Sequence, residues 1–283
     1  MALLKPRTWP RQARLAVITA LSLAAFIFLF LSPRMPIGTD YHVFADNRTM
    51  VGIPHVGDVL SNIPFFVVGL WGLFWLGGKK SQAAFLDGRE RIPYLVFFAG
   101  VMLTGIGSFW YHMAPSDARL PWDLLPMTCS FTSMVVVTYM ERVHVRDGFL
   151  ALLPVLLLGI SSVVYWMVSN SGGNGDYKFY LFVQFFSPVL LALILGLFGP
   201  RYTGVGYLAI AFGLYVAAKL FETFDDSIYR HLGRAVSGHS LKHVTAAVAC
   251  FWILAMLQHR RPLSQGSPSS AFDLPGRETA ITF

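Results

Sequence analysis

Eight stretches almost free of charge, at 15–32, 58–77, 92–112, 122–140, 149–168, 179–198, 204–221 and 239–257, dominate this chain. Each holds about 18–21 residues, and a helix of roughly 20 residues spans about 30 Å, the thickness of a bilayer's hydrocarbon core. A composition that is 55% hydrophobic and only 13% charged takes the chain out of the soluble class. The expectation is an all-α membrane protein with eight spanning helices.

A net charge of +7 would suggest a nucleic-acid partner in a soluble protein. Here the basic residues fall between apolar runs, so they report topology instead, and no nucleic acid is expected. With the N-terminus inside, the inner side, from the N-terminal segment through the inner loops to Arg260 and Arg261, holds thirteen Lys and Arg against six outside. Both termini are then cytoplasmic. Lys5, Arg7, Arg11 and Arg14 precede the first run as in a signal peptide, but the run is long for one. Ser32-Pro-Arg-Met-Pro36 also offers no small-residue cleavage site, so an uncleaved anchor is expected. The tail after Gln258 is rich in Pro and Ser and is expected to be disordered. Cys129 and Cys250 lie inside apolar runs and are expected to be free thiols.

Within this topology, ionisable residues from distant parts of the sequence fall at one depth. His112 ends the third run, Asp123 opens the fourth, and His239 and His243 open the eighth. Ser108 lies four residues before His112, on the same helical face. All would sit toward the external leaflet. Asp58, Ser61 and Asn62 at the start of the second run, and Lys219 and Glu222 at the end of the seventh, share that level. Intramembrane ionisable groups are functional hypotheses by default. Three imidazoles with a carboxylate nearby suit a catalytic zinc, which takes three protein ligands and keeps an open position.

Blander readings exist for each residue. A lone membrane histidine is usually packed or hydrogen-bonded, Asp123 could serve the helix dipole behind Pro121, and Ser108 could bond back to the carbonyl four residues earlier. The aromatics Phe109, Trp110 and Tyr111 read as packing, and Lys219 with Glu222 as a neutralising pair. The combination of a histidine pair at i, i+4 with a third histidine and an aspartate favours metal chemistry. His239-Ser-Leu-Lys-His243 lacks the glutamate that follows the first histidine of a zincin helix, which excludes that protease class.

Ser108-Phe-Trp-Tyr-His112, Asp123 and His239-Ser-Leu-Lys-His243 together resemble the CREST superfamily of seven-helix membrane hydrolases and receptors, most closely its alkaline ceramidase branch. Asp58-Val-Leu-Ser-Asn-Ile-Pro-Phe65 is similar to the opening of that family's first core helix. The resemblance implies a seven-helix bundle over 41–258, one additional N-terminal helix within 1–40, and a tail at 259–283. It also implies zinc on His112, His239 and His243, with Asp123 as general base and Ser108 as an oxyanion donor. The substrate would be a ceramide-like membrane lipid, cleaved at its amide to a sphingoid base and a fatty acid. Calcium binds in that family through an acidic Asp-Trp-x-Glu-x-Asn segment. Of this, Phe44-Ala-Asp-Asn-Arg48 keeps Asp46 and Asn47 but lacks the Trp and Glu.

Two other functions fit parts of the pattern. Receptors related to those for adiponectin and progestins have a similar zinc constellation, although the short loops here offer no domain for recruiting partners. A transporter or proton relay through Asp58, Asp123, Lys219 and Glu222 would need polar residues through the whole bilayer depth, whereas the inner halves of these runs are nearly all apolar.

Overall fold

Every apolar run becomes a helix, and most begin or end at a residue with a physical reason to do so. The computed structural model describes residues 9–263. Lys5, Arg7 and the Pro/Ser-rich part of the tail beyond 263 lie outside the described residues. Among those described, all regular secondary structure is helical apart from two isolated bridges, Met50 with Ile53 and Tyr202 with Pro262. Eight spans are long and apolar enough to cross a membrane.

The helices, in order, are α1 (Arg11–Leu31), α2 (Val56–Leu60), α3 (Ile63–Gly77), α4 (Arg91–Met113), α5 (Leu120–Arg142), α6 (Val145–Asn170), α7 (Lys178–Leu197), α8 (Val205–Thr223), α9 (Asp225–His231) and α10 (Gly238–His259). Helices α2 and α3 form one span interrupted at Ser61 and Asn62. There the Ser61 hydroxyl and the Asn62 amide both donate to the Asp58 carbonyl, at 3.1 and 2.8 Å, competing with the regular helical ladder.

Packing runs α8–α10–α3–α4–α5–α7, with α6 laid over α5 and α7. The main core lies where α3, α4 and α10 meet, around Phe65, Phe97, Phe98, Val101, Ile253 and Leu254. Helix α1 packs on α7 alone to any extent, and Leu29 is its one buried residue. Its attachment is local: the Arg14 guanidinium donates to the Leu197 carbonyl at 3.0 Å, and Lys178 donates to the Ser32 carbonyl at 2.8 Å.

The path does not close between α7 and α8. These two helices meet chiefly through side chains: the Tyr215 hydroxyl donates to the Gln184 carbonyl at 3.2 Å, and Lys219 lies 5.2 Å from the centre of the Phe185 ring. Cys129 and Cys250 are free, as expected.

Candidate metal centre

Two glycines allow the site to assemble. Pro126 has no N–H to offer the Trp122 carbonyl one turn earlier, so that carbonyl is left without its helical partner. Gly107 of α4 packs directly on it: a Cβ at Gly107 would overlap the Trp122 oxygen and fall 2.6 Å from its carbonyl carbon. With no side chain there, α4 and α5 come close enough for Ser108 and His112 to share a cavity wall with Asp123. At the head of α10, a Cβ on Gly238 would overlap the Phe221 carbonyl and lie 2.7 Å from the Asp225 Cα. Gly238 therefore lets α10 begin against the end of α8.

Ser108, His112, Asp123, His239 and His243 are all buried. The ligand atoms of the three histidines lie within 4.8 Å of one another. His112 and His239 bring their Nε2 atoms to 3.2 Å. Two imidazole nitrogens bound tetrahedrally at about 2.0–2.1 Å from one ion would be about 3.3 Å apart, so this separation fits a shared cation. Among the described residues this is the group of three or more metal-ligating side chains. It can hold a metal ion.

The surrounding contacts orient His243 by a hydrogen bond and pack against His112 and His239. Ser61 has one hydroxyl proton, which goes to the Asp58 carbonyl. Its oxygen, 2.8 Å from His243 Nδ1, then accepts from that nitrogen and leaves the Nε2 lone pair free for an ion. Asp58 is fully buried and accepts from Ser237 and Ser240, at 2.6 and 2.7 Å, which ties α2 to the first turn of α10. Asp225 accepts from the His239 backbone N–H at 2.8 Å and from that of Ala45 at 3.1 Å. The second bond draws the segment between α1 and α2 over the site. Phe44 on that segment sets its ring 4.6 Å, centre to centre, from both His112 and His239. His42 anchors the same cover, 2.8 Å from the Tyr111 hydroxyl and 2.9 Å from Asp117.

Below the histidines lies a cavity of about 430 Å³, lined by Ser108, Asp123 and His243 at the polar end and reaching Met134, Leu191 and Ile253 at the other. Ser108 stands beside Asp123 on the cavity wall. Phe185 of α7 and Phe212 of α8 both line the cavity and are half-exposed, so it opens sideways between those helices.

At Asp46 and Asn47, the residues the resemblance offers for calcium, the carboxylate has protein partners. Asp46 is fully buried, and both its oxygens are taken: by Arg48 Nε and Nη2 at 2.7 and 2.9 Å, and by the Gly57 N–H at 2.8 Å. Burial pushes this carboxyl up, but the guanidinium and the backbone N–H groups of Arg48 and Gly57 outweigh it and hold the group below the usual carboxylate range. Asn47 is exposed and does not face Asp46 in any contact that would complete a site.

Lys219 and Glu222 do form the ion pair expected of them, and Lys242 joins it, donating to Glu222 at 2.8 Å and to His239 Nε2 at 3.1 Å. Sequence reasoning gave Lys242 no role. Its signal was a charged residue one turn inside an apolar run, three positions from a candidate ligand. Asp225, Ser61 and Phe44 were missed as supports because their partners come from other helices.

No family model matches the chain, and no curated protein matches it. The functional reading therefore rests on this site and on the likeness of its residue pattern.

Proposed function

We propose that the protein is an integral-membrane, zinc-dependent hydrolase that cleaves ceramide-like lipids at their amide bond, as its residue pattern's likeness to alkaline ceramidases implies. The observation that carries this reading is the three-histidine group, one of whose members, His243, lines a mostly apolar cavity together with Ser108 and Asp123. His112, His239 and His243 would hold the zinc. A zinc ion in such a setting supplies a water of lowered pKa and polarises a carbonyl.

The chain's own residues supply the rest. Asp123, on the cavity wall beside Ser108, would take a proton from an attacking water and later pass it to the leaving nitrogen. Ser108 can donate to the substrate carbonyl oxygen as charge develops on it. The apolar stretch of the cavity takes the acyl chain, and Phe44 with the segment around it covers the histidines from the aqueous side. Lys and Arg distribution supports cytoplasmic termini and a site toward the external leaflet.

A transport function fits less well. Between the site and the ion network of Glu90, Glu141, Arg201 and Arg260 near the opposite ends of the helices, the described helices carry no Asp, Glu, Lys, Arg or His. The test is fatty-acid release from ceramide in vesicles containing purified protein. Wild type should release it in the presence of zinc, and His239→Ala should not. Equal release by both would refute the assignment, and zinc binding without release would point to a receptor.

A further inference from the structure

The cation pair beside the histidines exceeds what a neutral lipid needs. Lys219 and Lys242 both reach Glu222, one on each carboxylate oxygen, and both ammoniums line the cavity that holds Asp123 and His243. An ammonium has three donors. Lys242 gives one to Glu222 and one to His239 Nε2; Lys219 gives one to Glu222. Three N–H groups remain, in a place where a charged group without partners is costly.

Asp123 is the only other carboxylate on the cavity wall. It lies near both lysines, yet their ion pairs go to Glu222 and it pairs with neither ammonium. Moreover, His239 cannot give its Nε2 lone pair both to Lys242 and to an ion. Metal binding would release Lys242 from that contact toward the cavity.

From this arrangement we infer that the lipids taken by the site carry a carboxylate on the amine side of the amide, as N-acyl amino acids do, and that Lys242 and Lys219 receive it. The inference rests on the amide-hydrolase reading and names its substrate class. A single carboxylate matches the pair better than a phosphate dianion, because Glu222 already takes one donor from each ammonium. The position fits as well: Lys242 is three residues from His239 on α10, and Lys219 faces it from α8. An amine-side headgroup would thus reach the lysines while the acyl chain lies along the apolar wall. Charge-assisted hydrogen bonds of this kind discriminate strongly, and a tenfold or greater preference over a neutral headgroup is expected.

The experiment measures binding rather than turnover. Full-length protein stripped of metal with a chelator is titrated with N-oleoylglycine, with the neutral N-oleoylethanolamine and with oleate, in the same detergent. N-oleoylglycine should bind at least tenfold more tightly than N-oleoylethanolamine. Lys242→Met and Lys219→Met should each narrow that ratio, and Lys242→Arg should keep it. Equal binding of the two amides, or a ratio that survives both Met variants, would overturn the inference. Oleate binding as tightly as N-oleoylglycine would also overturn it, by placing the anion at the acyl end. Free acetate should not compete at millimolar concentration; if it did, the site would bind the anion alone rather than a lipid headgroup. Zinc-restored protein separates the two claims. Hydrolysis of neutral and anionic amides alike keeps the hydrolase and removes this preference, whereas preference without hydrolysis removes the hydrolase and keeps the binding site.

Discussion

Replacing Ser61 with alanine should weaken zinc binding by one to two decades while leaving the fold intact. The Ser61 oxygen is 2.8 Å from His243 Nδ1, and its own proton is committed to the Asp58 carbonyl at 3.1 Å. Alanine leaves the imidazole two choices. Keeping the proton on Nδ1 gives up the bond to Ser61 and leaves only the Asp58 carbonyl, which already accepts from Asn62, at a cost of about 1–3 kcal/mol. Moving it to Nε2 removes the lone pair an ion requires. Either way the loss falls on metal affinity, and since about 1.4 kcal/mol is a factor of ten, a 10–100-fold change follows, in line with other groups that orient metal ligands. Zinc titration of the stripped protein against a chromophoric chelator reads this directly, with Ser61→Thr, which keeps the hydroxyl, as the rescue. Affinity within twofold of wild type for Ser61→Ala would show that His243 does not bind through Nε2 and would undo the assignment of the rings.

Other consequences follow from the same contacts. Gly107→Ala should lower thermal stability in detergent by about 1–3 kcal/mol or more and abolish metal retention, because its methyl would meet the Trp122 carbonyl, whereas Gly213→Ala, with open space around it, should be tolerated; equal midpoints for the two would contradict the close approach of α4 and α5. Phe44→Ala should speed zinc loss to a chelator, since the ring covers two of the three histidines, and an unchanged off-rate would remove the cover from the account. Asp46 sets an acid limit. Its carboxyl lies below the ordinary value of 3.8 when folded, so its contribution is fully present above about pH 4 and fades as the pH falls through the folded value. The thermal midpoint should therefore drop below about pH 4 less steeply in Asp46→Asn, itself less stable at neutral pH, than in wild type. Parallel pH profiles would show that the Arg48 pair contributes nothing.

The spans were legible in the sequence because burial in lipid imposes one rule on every residue of a run, and that rule needs no knowledge of neighbours. The convergence of His112, His239 and His243 was legible for a related reason: alternating passes through a slab fix depth, and residues at run ends fall at one level. What escaped was whatever depends on a partner chosen by packing. The break at Ser61 and Asn62 falls at the polar start of the second run, and hydropathy does not register two side chains bonding to one carbonyl. Asp46 resembled a calcium ligand until Arg48, two residues later, proved to fold back on it. Asp176, in the Gly- and Asn-rich turn before α7, is buried and accepts from the Met35 and Lys178 backbone N–H groups, holding the chain after α1 against α7. Lys242 was ambiguous because a lysine in a first helical turn often reaches water; its meaning depends on α8 lying opposite.

Metal content tests the central claim most directly. Protein purified without added chelator, and again after zinc supplementation and gel filtration, should carry about one zinc per chain, and X-ray absorption at the zinc edge should show three imidazole nitrogens in its coordination. His112→Ala and His239→Ala should each lose the ion. A protein that takes up no stoichiometric metal, or one whose bound zinc is unaffected by both substitutions, would contradict the account.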